Sequence, residues 1–154
     1  MTSTAISHEP TTRFPLGLAV ATVVGTLAFT ALGTFGDGSE GAPNPMEFLV
    51  IAGFILALAA VMFLVVVPRS LASGRTAGLG LGLSIAALPF VLAFWAGVTP
   101  VLAVSGIVLG AAARRSGQGG GKGGVAIALG ALALVGYVAI YVSDWMATNN
   151  IAGM

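Results

Sequence analysis

Long apolar runs separated by short polar or glycine-rich segments dominate the chain. Residues 14–36 carry no charge at all, and comparable runs follow at about 46–67, 78–95, 100–115 and 125–143. Each approaches the ~20 residues that a helix needs to cross a bilayer. Turn signals punctuate them. DGSEGAPNP occupies 37–45, RSLASGRTA 69–77, AGVTP 96–100 and RRSGQGGGKGG 114–124. Pro45 suits the first turn of a helix, Pro68 reads as the end of the second run, and Thr99 followed by Pro100 reads as a cap and helix start. Pro89 lies inside the third run and is expected to kink it. The pattern predicts an all-α polytopic membrane helix bundle with five spans.

The fourth span is the short one. At about 1.5 Å per residue, 100–115 covers roughly 24 Å against a hydrocarbon core of roughly 30 Å. The alternative architecture is therefore three spans plus a re-entrant hairpin at 78–113. Merging 78–113 into one crossing would drive a helix through Gly97 and Pro100, which makes four spans the poorer count. The run at 14–36 exceeds a signal-peptide core and ends in no A-x-A-like site, so it reads as a retained anchor. Residues 1–13 read as a disordered cytoplasmic tail, 14–143 as the bundle, and 144–154 as an extracytoplasmic tail.

Composition sharpens this. The chain has 154 residues, 57% hydrophobic and 7% charged, with a mean hydropathy of +1.03. A soluble domain carries about 25% charged residues to solvate its surface; here lipid must be the solvent. A net charge of +1 from few, scattered basic residues gives no nucleic-acid footprint. Cysteine is absent, which removes disulfides and thiolate ligands, and the lone His8 sits in the polar tail.

Charge also sets orientation, because cytoplasmic loops carry the excess of Lys and Arg. With five spans and the amino terminus inside, Arg13, Arg69, Arg75, Arg114, Arg115 and Lys122 all fall on the cytoplasmic side. Asp37, Glu40, Glu47 and Asp144 fall outside, and Glu9 alone joins the basic side. Trp95 and Trp145 then lie at the outer interface, where indole rings prefer to sit. The expected location is the plasma membrane, amino terminus in and carboxyl terminus out.

Helices in lipid associate by close packing of small residues. Four-residue spacing places Gly17, Ala21 and Gly25 on one face of the first span, and Gly78, Gly82 and Ala86 on one face of the third. Gly106 with Gly110, and Ala126 with Gly130, do the same for the fourth and fifth. These are the candidate helix-packing faces. Thr22, Thr26, Thr30 and Thr34 form a candidate polar stripe on the first span; each hydroxyl can instead bond to a carbonyl one turn back in its own helix. Arg114, Arg115 and Lys122 are candidate contacts for anionic lipid headgroups.

Catalytic and cofactor chemistry finds no foothold. No ionisable side chain lies centrally in any span, which argues against proton coupling, voltage sensing and charged-substrate conduction. Glu47 suits the positive end of a helix dipole. GQGGGKG at 117–123 lacks the glycine and the Ser/Thr that a phosphate-binding loop requires, and its flanks are membrane helices. Ser105 has no base within the spans. No enzyme, metal or cofactor is expected.

The segments GIVLGAAARRSG at 106–117 and GGVAIALG at 123–130, joined by the basic glycine loop, carry a resemblance. Across 78–143 the chain resembles a family of small Gly/Ala-rich bacterial membrane domains of unknown function. The resemblance implies a bacterial plasma membrane and a helical hairpin over 100–143, and it lends no activity. Two functions are expected to compete. One is a non-catalytic accessory or scaffold subunit whose partners are lipids, a second copy or another membrane protein. The other is a component of a transporter or pore for a small neutral or apolar molecule.

Overall fold

A computed structural model describes residues 13–35, 44–117 and 119–148. Among these residues, five helices are long and apolar enough to cross a membrane. They are α1 (Arg13–Phe35), α2 (Pro45–Ser73), α3 (Thr76–Ala96), α4 (Val98–Arg115) and α5 (Lys122–Thr148). The all-helical, five-span reading of the sequence matches this architecture.

Local chemistry fixes both ends of α2. The Asn44 side chain accepts hydrogen bonds from the Met46 and Glu47 amides at 3.2 and 3.4 Å, with Pro45 at the first helical position. These bonds satisfy amides that no intrahelical carbonyl can reach. Gly74 closes α2 in the left-handed region at φ 68°.

Three boundaries depart from the hydropathy reading. The second run does not end at Val67, because helix continues through Pro68 to Ser73. Val61–Val66 adopt a π turn, and the Val67 amide bonds to the Met62 carbonyl, five residues back. Widening the ladder just before Pro68 accommodates a ring with no N–H to offer. In α3 the effect of Pro89 is more than a kink: Val91–Ala96 tighten into a 3₁₀ turn, and Ala93 leaves helical geometry at φ −102°, ψ 49°. Thr99 does not cap α4. Gly97 holds that position at φ 64°, and Thr99 and Pro100 lie within the first turn.

The core is built around α4. Its residues 98–106, together with Val108, Leu109, Gly110 and Ala113, are buried. It packs along its length against α3 and α5, while α1 and α2 cover the remaining side. A helix sheathed by protein need not match the lipid thickness by itself, which explains how the shortest span is tolerated.

Small residues allow the close approach. A methyl group placed on Gly80 would lie 2.9 Å from the Gly110 nitrogen, and one on Gly130 would lie 2.9 Å from the Ala103 carbonyl oxygen. Gly110 and Gly123 face each other so closely that a methyl on either would meet the other's carbonyl oxygen, at 2.8 and 2.7 Å. Contacts this tight replace the hydrophobic drive that lipid cannot supply. Between α3 and α5 the Ser84 hydroxyl donates to the Ala126 carbonyl at 2.7 Å, fully buried.

Candidate functional site

The helix-packing residues singled out by spacing fall into two groups. Gly106, Gly110, Ala126 and Gly130 meet at the α3–α4–α5 seam. Ala86 is partly buried against the core cluster of Ala87, Leu102 and Ala133. In contrast, a methyl group on Gly17, Gly25, Gly78 or Gly82 would meet nothing within 4 Å, and Ala21 is exposed. The contacts of α3 run instead along Gly80, Ser84 and Ala87, all buried. Hydropathy could not separate this register from Gly78–Gly82–Ala86, because both faces of the helix are apolar.

A cleft of about 160 Å³ opens between α1, α4 and α5. Ala21, Thr22, Gly25, Thr26 and Phe29 line it from α1, Pro100 and Val104 from α4, and Leu134, Tyr137 and Val138 from α5. Thr22 and Thr26 border it, and neither directs its hydroxyl proton into it. Thr22 donates to the Leu18 carbonyl at 2.7 Å, Thr26 to Thr22 at 2.7 Å, Thr30 to Thr26 at 3.0 Å and Thr34 to Thr30 at 2.9 Å. With each proton directed along its own helix, the cleft wall suits hydrocarbon and offers a solute little polar selectivity.

Aromatic rings fasten α1 to α5 beside the cleft. Phe29 meets Tyr141 edge-on at a centroid distance of 4.9 Å and Tyr137 at 6.2 Å, and Phe94 of α3 meets Tyr141 at 6.1 Å. The Tyr141 hydroxyl donates to the Phe29 carbonyl. The bond ties two spans distant in sequence.

The other conspicuous feature is electrostatic. Arg69, Arg75, Arg114, Arg115 and Lys122 are all exposed. They flank the α2–α3 and α4–α5 connections, which meet where Gly119 lies against Ala77. Ala111, Arg114, Arg115 and Ile127 line a shallow depression there. The described acids, Glu47 and Asp144, belong to the opposite helix ends.

Two buried hydroxyls, Thr76 Oγ1 and Thr99 Oγ1, have no hydrogen-bond partner. Sequence reasoning missed Thr76 and misread Thr99, since burial of a helix's first turn leaves no mark on hydropathy. Among the described residues no three His, Cys, Asp or Glu side chains gather to hold a metal ion.

Five apolar spans, with cations gathered at one end and indoles exposed at the other, define a multi-pass membrane helix bundle in contact with lipid. Compared with known proteins, the chain matches no family model, no curated protein and no solved structure. The resemblance over 78–143 rests on its own residues alone.

Proposed function

We propose that the chain is a non-catalytic accessory or scaffold subunit of the bacterial plasma membrane, joining a second copy or another membrane protein through α1. The observation that carries this reading is the small-residue face of α1, open at Gly17 and bordering the unfilled cleft at Ala21 and Gly25. Gly106, Gly110, Gly123 and Gly130 of α4 and α5 are consumed by internal packing, whereas Gly17 and Gly25 of α1 meet nothing within 4 Å. A face that lets backbones approach closely is the means by which helices associate in lipid. The amino terminus lies in the cytoplasm, with Arg114, Arg115 and Lys122 against anionic headgroups.

The test is extraction in mild detergent followed by cross-linking through α1. Wild type is expected to yield a cross-linked partner or dimer, and Gly17→Ile with Gly25→Ile to lose it while keeping its own unfolding midpoint. A wild-type protein found only as free monomer, or a double variant that assembles unchanged, would overturn the reading.

A second reading is favoured by the cleft between α1, α4 and α5. Its apolar wall and its volume of about 160 Å³ suit passage or storage of a small neutral or apolar molecule by a transporter component. Val104→Phe fills the cleft, so proteoliposome flux of such a molecule should fall with that change. Flux indifferent to it removes the motive.

A further inference from the structure

The first turn of α3 combines three features that neither helix packing nor span formation requires. Its amides are capped by no side chain; Arg75, at the cap position, supplies only backbone. The Thr76 hydroxyl sits within that turn, 4% exposed as a residue, with its oxygen enclosed and unpartnered. Gly119 of the α4–α5 connection covers the next residue, so close that a methyl on it would collide with the Ala77 side chain.

A helix N-terminus presents N–H groups and the positive end of its dipole, and favours an oxyanion. A buried hydroxyl without a partner is unfavourable unless something outside the chain accepts its proton. Exposed Arg75, Arg114 and Lys122 on the same end of the bundle raise the local concentration of anions.

We infer that the first turn of α3, with the Thr76 hydroxyl and the Arg75 cation, is a binding site for a phosphate oxyanion. The oxyanion accepts from the free amides and from Thr76 Oγ1. The same chemistry is offered by a lipid phosphate headgroup and by free phosphate. The inference is independent of how α1 associates.

The experiment uses the full chain in neutral detergent, with thermal unfolding followed against inorganic phosphate at constant ionic strength. A second arm titrates phosphatidylglycerol into the same phosphate-free neutral detergent in place of inorganic phosphate. Wild type should give a saturable rise in Tm in at least one arm. A rise in the lipid arm alone assigns the site to headgroups, and a rise with phosphate assigns it to the free anion. Thr76→Val should weaken the apparent affinity by about tenfold, the worth of one charge-assisted hydrogen bond, and Thr76→Ser should restore it. Should Thr76→Val fail to fold, exposed Arg75→Gln serves in its place and must also weaken binding. No saturable response in either arm, a response that follows ionic strength alone, or variants that respond as wild type would overturn the inference.

Discussion

Ser84 donates its hydroxyl proton to the Ala126 carbonyl at 2.7 Å, and the same Ser84 oxygen occupies the space that a side chain on Gly106 would need. Three helices are therefore coupled through one hydroxyl. Ser84→Ala should destabilise the bundle by about 0.6 kcal/mol, the average for interhelical hydrogen bonds in lipid, and by no more than about 1.7 kcal/mol, their maximum. Gly106→Ala should cost about 1–3 kcal/mol by overpacking. Combining them should relieve only part of that cost, because the Gly80 carbonyl at 2.9 Å and the Ser84 amide at 3.0 Å still crowd the new methyl. Unfolding in mixed micelles of mild detergent and SDS measures the coupling. Strict additivity would mean that Ser84 and Gly106 do not share this space.

Gly80 and Gly82 provide a sharper contrast, two residues apart on one helix. A methyl on Gly80 meets the Gly110 nitrogen at 2.9 Å and the Gly106 carbonyl at 3.1 Å, whereas one on Gly82 meets nothing within 4 Å. Gly80→Ala should lower stability by about 1–3 kcal/mol through backbone displacement. Gly82→Ala should stay within about 0.5 kcal/mol of wild type, as for a position away from packing. Equal effects in the same micelle assay would place the α3–α4 contact on the wrong face.

The spans were legible because an uncharged run of membrane length has few alternatives to a helix. The register of their contacts was legible only in part. In α4 almost every position is buried, so choosing Gly106 and Gly110 needed no choice of face; in α3 both faces are apolar and spacing by four fitted two registers. Pro68 was misread as a stop because a proline's missing N–H usually ends a helix, and nothing in composition announces the compensating π turn. The orphaned Thr76 depends on tertiary packing around the first turn of α3, which no local pattern encodes.

The threonine ladder of α1 yields a prediction of small effect. Each hydroxyl is satisfied by a carbonyl one turn earlier, at 2.7–3.0 Å. Replacing Thr30 and Thr34 together with Val removes hydroxyl and helix-carbonyl bond at once and strands no partner carbonyl without its ladder bond. The unfolding midpoint should shift by no more than about 0.5 kcal/mol equivalent. A loss of assembly or stability well beyond that would mean that these hydroxyls also serve an outside partner.

Tyr141 makes the opposite case. Its hydroxyl donates to the Phe29 carbonyl and its ring packs on the Phe29 ring, so it holds α1 against α5 by both ends. Tyr141→Phe keeps the ring contact and removes the bond. The global unfolding midpoint should move little, while α1 amides around Phe29 exchange hydrogen about fivefold faster, as expected for a bond worth about 1 kcal/mol in a peripheral element. Unchanged exchange would show that the rings alone dock α1.

Orientation rests on the cations and can be read directly because the chain contains no cysteine. Met46 and Ala72 are both exposed and stand at opposite ends of α2, a 29-residue helix roughly 43 Å long at about 1.5 Å per residue. Arg69 and Arg75 flank the Ala72 end, which the positive-inside tendency assigns to the cytoplasm. A membrane-impermeant maleimide added to intact cells should label Met46→Cys and spare Ala72→Cys until the membrane is opened. The reverse pattern would invert the whole bundle, because the α2–α3 and α4–α5 connections meet at Ala77 and Gly119 and must lie on one side. Labelling of both positions in intact cells would show that α2 does not cross the bilayer, and the five-span arrangement would fall with it.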